Sequence, residues 1–287
     1  MRRMQRRKKR VNRLRLFQLL LLLVICGAFW LGIDHYRQRQ QITITAPALI
    51  VRSAPNSSRE VTTITKNTTV TRLKQRKGWV KIFYRGKIGW LPTWLIHSQY
   101  DATKATDRLA EQTIVIDAGH GGSDSGALAT NGTYEKYYTL KMAQALATKL
   151  KTSAARVIMT RSHDQSVALR QRPALANQVG ASLFISFHFD STPEADTASG
   201  FTTYYYHAAS KKFAQTLSQQ LNSLALTNRG TAYGNFQVIR DSTMPAVLLE
   251  MGYINDTTDY QSISSASYQQ QVAQLIYQGL QKYTATN

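Results

Sequence analysis

The chain has 287 residues and a formal charge of +20, from 36 Lys/Arg against 16 Asp/Glu, with one cysteine, Cys26. That length suits one catalytic domain with a small accessory module, and a lone cysteine excludes a disulfide framework. Lys/Arg outnumber acids eleven to one over residues 1–39 and ten to one over 40–100, but only fifteen to fourteen over 101–287; with its largest segment near neutral, the chain is not read as a nucleic-acid binder.

The N-terminal charge lies in MRRMQRRKKRVNRLR, which holds nine Lys/Arg and leads into Leu16–Ile33, where Gln18 is the only clearly polar side chain. As a helix these residues span ~27 Å, close to the ~30 Å hydrocarbon core of a bilayer. Residues 1–33 are therefore expected to anchor the chain in a membrane, with the N-terminus cytoplasmic and everything after it outside the cell. The alternative is a signal peptide cleaved after Cys26-Gly27-Ala28; the apolar run continues past that site through Trp30 and Leu31, which favours a retained anchor.

A linker at 34–42 precedes short β-branched runs separated by Pro55-Asn56-Ser57-Ser58, Lys77-Gly78 and Arg85-Gly86, the spacing of a small all-β barrel over 43–98. LIVRSAPNSS, GWVKIFYRGKIGWLPTWLI and the pairs Gly78-Trp79 and Gly89-Trp90 resemble bacterial SH3-like domains of cell-wall hydrolases. That resemblance implies binding to peptidoglycan, and the charge of this segment fits anionic wall polymers as well. Trp79, Trp90 and Trp94 are read either as barrel core or as wall contacts.

After a second linker, 99–112, apolar strands alternate with helical stretches over 113–287: TIVIDAG, ARVIMTR, ASLFISFH, GFTTYYYH and AVLLEMGY, with KYYTLKMAQALATKL as a helix whose Leu140, Ala143, Ala147 and Leu150 share a face. This alternation predicts an α/β domain with a mostly parallel sheet, in which ligands sit at the carboxyl ends of the strands. His120 follows the first strand, His188 and Glu250 close two others, and Glu135 opens the first helix, all on one rim. Two histidines and a carboxylate make the donor set of catalytic zinc with one position open, and a carboxylate off the metal can act as general base. A phosphate loop does not fit: GHGGSDSG lacks the following Lys of a P-loop and the G-x-G-x-x-G fingerprint, and Asp117 and Asp124 repel phosphate. The buried run AVLLEMGY has little reason to carry a carboxylate unless it is paired or used.

IVIDAGHGGSDSGA, YEKYYTLKMA, MTRSHD, LRQRPALAN, LFISFHFDS and NFQVIRDSTMPAVLLEMGYINDTTD are similar, in order and spacing, to the zinc-dependent N-acetylmuramoyl-L-alanine amidases of the type 3 family. The resemblance implies a central sheet of about six strands flanked by helices, one catalytic zinc ion held by His120, Glu135 and His188, and Glu250 as catalytic glutamate. It also implies hydrolysis of the amide between the lactyl group of N-acetylmuramic acid and L-alanine. Two further roles are expectations with alternatives: Asp117 holding the second nitrogen of a ligating histidine or capping the glycine turn, and Arg240 binding a stem-peptide carboxylate or standing as a solvated loop charge. Phe189-Asp190 replaces the family's more usual Ala-Asn or Ala-Asp. A non-catalytic wall-binding scaffold and a zinc amide hydrolase of another exported substrate are the competing readings.

Overall fold

The structure, a computed structural model, describes residues 2–286; the side chains of 2–16, which include most of the N-terminal basic run, lie outside what is described. Helix α1 runs Arg2–Arg39, and its Phe17–Arg39 portion is long and apolar enough to cross a membrane, with none of that window buried. The helix passes the expected boundary at Ile33, so residues 34–39 continue it rather than forming a linker. Arg72 fastens its end, donating from Nη2 to the Arg39 carbonyl (3.1 Å) and from Nε to Gln40 Oε1 (3.3 Å).

The barrel follows at once: β1 Gln41–Thr43, β2 Ala48–Arg52, β3 Glu60–Thr65, β4 Thr69–Arg76, β5 Trp79–Tyr84 and β6 Lys87–Pro92, in the antiparallel order β1-β4-β5-β6-β2-β3. Alternation along β5 sends Val80 and Ile82 into a core with Leu49, Val51, Ile64, Val70 and Leu91. The tryptophans are buried packing residues of the barrel rather than open wall contacts: Trp79 (1% exposed) and Trp90 (8%) lie on the opposite side of their strands from Val80 and Leu91, Trp90 beneath the Arg76 guanidinium at 5.3 Å, and Trp94 packs against the barrel core. Trp79 meets Trp94 edge-on at 5.8 Å, where Arg156 of the next domain lies 6.0 Å over the Trp94 ring.

Residues 99–112 are ordered structure, contrary to the linker expected from their small polar composition. Ala102 donates to the Ala48 carbonyl (3.0 Å), and Trp94 Nε1 to that of Ala110 (2.9 Å). Ala110 joins the barrel core, and Glu111 takes a two-pronged, buried ion pair from Arg52 (2.7 and 2.8 Å).

The second sheet contains β7 Thr113–Ala118, β8 Arg156–Met159, β9 Leu183–Asp190, β10 Phe201–Tyr205, β11 Asn228–Tyr233 and β12 Ala246–Tyr253 in the order β11-β10-β12-β9-β7-β8. The first four neighbours from β8 to β12 are parallel; β10 pairs antiparallel with β12, and β11 parallel with β10. The edge strand β11 was missed from sequence because Asn228, Arg229 and Gly230 break the apolar pattern. The remaining helices are α2 Glu135–Leu150, α3 Gln171–Val179, α4 Ala208–Leu221, α5 Gln237–Arg240, α6 Thr257–Ser264 and α7 Ala266–Ala285. One sheet face, with Ile114, Ile116, Phe187 and Leu249, is buried with residues of α2, α4 and α7; the other, with Val115, Phe184 and Leu248, packs on α3 and α5. Period-two alternation puts Asp117, His188 and Glu250 on this second face. The barrel sits at the opposite end of the strands, where Lys77 Nζ donates to the Asn177 carbonyl (2.8 Å) and Ser182 Oγ to Asn56 Oδ1 (3.0 Å).

Candidate active site

Strand β7 ends in a turn that reverses within a few residues. His120 adopts a left-handed conformation (φ 60°), a strained choice for a side-chain-bearing residue, so its surroundings must impose it. Arg172 of α3 donates to the carbonyls of Ala118 (2.7 Å) and His120 (2.8 Å). Arg161, 1% exposed, donates to those of Ala118 (3.0 Å) and Gly119 (2.8 Å), and Asp124 Oδ1 lies 2.9 Å from His120 Nδ1. Two glycines are dictated by close approach: a side-chain carbon at Gly119 collides with the His188 imidazole, and one at Gly126 falls 2.6 Å from Glu135 Oε2.

The ligand-bearing atoms of His120, Glu135 and His188 lie within 4.8 Å of one another. His120 Nε2 is 3.0 Å from Glu135 Oε2, and His188 Nδ1 is 3.1 Å from Oε1. Glu135, 3% exposed at the start of α2, also accepts from the backbone amides of Ala127 and Phe189 (3.0 Å each), which aim both its oxygens. Burial works to raise the Glu135 pKa, yet hydrogen bonds and charge from both imidazoles outweigh it and hold the carboxyl far below the usual range. Burial likewise opposes charge on His120, and Glu135 and Asp124 reverse it, leaving this imidazole above its ordinary value.

Glu250 is paired in register with His188 across β12 and β9. Its Oε2 is shut from solvent and has no hydrogen-bond partner. Burial, then the charges of Glu135 and Asp190, push its pKa well above the ordinary carboxylate value. Two nitrogen donors and one carboxylate converging beside an unsatisfied carboxylate fit a metal ion with an open position; a positive ion here relieves both the crowded donors and the orphaned oxygen.

Of the two roles considered for Asp117, the contact with a ligating histidine is not made. Asp117 is fully buried and accepts from Thr160 (2.7 Å), Ser186 (2.7 Å) and Arg172 (2.9 Å), with no histidine among its partners. It acts on the turn through Arg172. Of the two readings of Arg240, the structure agrees with the solvated charge: its side chain is 38% exposed and pairs with Asp241 (3.0 Å) and Asn235 (3.1 Å). Its neighbour Asp241 accepts from Asn177 near the end of α3, at the barrel end of the sheet. At the catalytic rim the cation is Arg229, 5.5 Å over the Tyr253 ring. Arg161 and Arg172, which lie within MTRSHD and LRQRPALAN, hold the turn carbonyls, a role that residue type and position in the sequence do not signal.

A family model described as N-acetylmuramoyl-L-alanine amidase matches residues 114–282, and a bacterial SH3 domain model matches 47–97. The chain belongs to the N-acetylmuramoyl-L-alanine amidase family. Curated relatives named "probable cell wall amidase LytH" include one from Staphylococcus epidermidis, 36% identical over 85% of this chain and 84% of its own, and one from Staphylococcus aureus, 36% identical over 84% of each. Among solved structures, the catalytic domain of CwlV, an N-acetylmuramoyl-L-alanine amidase from Bacillus (Paenibacillus) polymyxa var. colistinus, is 40% identical. It covers 60% of this chain and 97% of that one, with a TM-score of 0.58. An N-acetylmuramoyl-L-alanine amidase from Clostridium difficile 630 is 35% identical over 60% and 96%, also at 0.58. The amidase domain thus accounts for the second sheet, and the SH3-like domain for the first.

Proposed function

We propose that this amidase hydrolyses the bond between the lactyl group of N-acetylmuramic acid and L-alanine in peptidoglycan, with one zinc ion held by His120, Glu135 and His188. The observation that carries this reading is the convergence of those three donors within 4.8 Å beside Glu250, whose Oε2 has no partner. Zinc bound there supplies Lewis-acid chemistry, polarising a carbonyl and acidifying a water. Glu250 takes the proton from the attacking water and returns it to the departing amine of L-alanine. Its Oε2, shut from solvent and without a hydrogen-bond partner, is free to take that proton and pass it on. Glu135 and the backbone amides behind it keep the two imidazoles in place, and the arginine-held turn keeps His120 in its strained conformation.

The test is digestion of purified peptidoglycan with mass spectrometry of the ends. Free N-terminal L-alanine and unsubstituted muramic lactyl groups are expected; cleavage within the peptide or glycan overturns the reading. We further propose that α1 is retained as an anchor, with its N-terminus cytoplasmic and the catalytic domain outside. Its apolar stretch partitions into lipid, and the preceding Lys/Arg resist translocation. The full chain is expected to stay with membranes through carbonate washing, whereas mature protein beginning at Phe29 in the medium shows cleavage instead.

A further inference from the structure

Strand β10 starts at the catalytic rim and leads away from it. Thr202 pairs with Glu250 and Tyr204 with Leu248, so Tyr204 shares the face of Glu250, about 7 Å further along. Two ring pairs follow along this side: Tyr204 and Phe236 stand 5.0 Å apart, and Tyr206 and Tyr233 5.4 Å apart at a shallow 33°. Tyr233 is 61% exposed and Phe236 38%. Tyr204 and Tyr206 are partly buried and pack against the core of Val238, Ile239 and Leu248, whereas the exposure of their ring partners Tyr233 and Phe236 is not explained by that core. Tyr137, another exposed ring of the domain, has Lys141 4.4 Å over its face, whereas Phe236 meets Tyr204 and Tyr233 meets Tyr206.

We infer that Tyr204, Tyr206, Tyr233 and Phe236 form a track for the glycan strand of the substrate, holding the N-acetylhexosamine units next to the one whose peptide is cleaved. The inference rests on the reaction proposed above. A muramic acid whose lactyl amide lies at the donor site is one unit of a linear polymer, and its neighbours must continue along the protein surface or leave it. The electron-rich faces of aromatic rings suit the C–H faces of pyranose rings, and the track begins at the residue that pairs beside the catalytic strand.

The experiment compares Tyr233→Ala, Phe236→Ala and Tyr233→Phe with wild type on two substrates: peptide-bearing glycan chains of several disaccharides, and a single N-acetylmuramoyl peptide. Loss of one stacking ring should raise KM on the chains by about three- to tenfold with kcat held, leave the single unit unchanged, and be rescued in Tyr233→Phe. Direct binding of peptide-free glycan strands to Glu250→Gln protein, followed by NMR, should weaken in parallel when Tyr233→Ala is added. Equal KM losses on both substrates assign the rings to the stem peptide, and unchanged KM and glycan binding make them packing only; either overturns the track. If wild type cleaves neither substrate, the proposed reaction fails, while the binding measurement still decides the track.

Discussion

Glu250 and the three donors do separable work, and substitutions should separate them. Glu250→Gln keeps the shape, replaces the unpartnered Oε2 with an amide nitrogen, and deletes the group proposed above to shuttle the proton. It should bind metal and fold as wild type does while losing ~10²–10⁴ in kcat; near-native turnover in metal-loaded Glu250→Gln removes Glu250 from that role. The donor site carries its own pH signature. In the metal-free protein, His120 sits above its ordinary value and Glu135 far below. The stabilising contribution of His120 is therefore full below an unfolded imidazole pKa of about 6.5 and is lost as pH rises through the higher folded value. That of Glu135 is present above about 4.3 and is lost as pH falls through its lower folded value. Metal must displace the His120 proton, so its affinity should climb with pH past about 6.5 before levelling. A titration of zinc affinity against pH that is flat from 6 to 8 contradicts the coupling between His120 and Glu135.

The β7 turn shows why part of the site could be read from sequence and part could not. His120, Glu135, His188 and Glu250 stand at element ends, where residue type and strand position alone suggest a ligand set. Arg172 carries no such signal. Its partners are the Asp117 carboxylate and the Ala118 and His120 carbonyls, more than fifty residues back, and only the folded chain brings them together. For the same reason sequence proximity to the histidine turn does not give Asp117 a histidine partner: its neighbours in space are Thr160, Ser186 and Arg172. Arg172→Met should take from buried Asp117 its directly paired guanidinium, leaving Arg161 as the nearby charge, and from the His120 carbonyl its Arg172 donor. A loss of about 3–5 kcal/mol in unfolding free energy is expected from the broken pair, together with weaker metal binding in the protein that remains folded. Denaturant unfolding and a metal titration at a temperature where the variant is folded check the two parts; unchanged metal affinity would mean that the turn holds itself.

At the scale of the molecule, the sequence suggests beads on a string, and the structure joins them. Residues 99–112 look like a linker because they are small and polar, yet Ala110 completes the barrel core and Glu111 is buried against Arg52, fifty-nine positions earlier. Burial of a charge is tolerable only when it is paired, so this pair forces the barrel and the segment entering the amidase sheet to order together. Lys77, Asn56 and Arg156 add contacts across the junction. The barrel then serves as a fixed base at the strand ends opposite the catalytic rim, and its exposed lysines and arginines keep a constant orientation to the active site. The corresponding prediction is cooperative unfolding. A chain lacking α1 should melt in one transition followed identically by tryptophan fluorescence, which reports the barrel because Trp79, Trp90 and Trp94 all lie there, and by amidase activity. Arg52→Ala leaves buried Glu111 with the longer Arg108 contact at 3.7 Å and should lower both midpoints together, by up to about 3–5 kcal/mol of stability, although Arg52 lies outside the catalytic domain. If fluorescence and activity are lost at different temperatures, or Arg52→Ala moves only the fluorescence, the two domains fold independently and the orientation of the basic surface to the active site is not fixed.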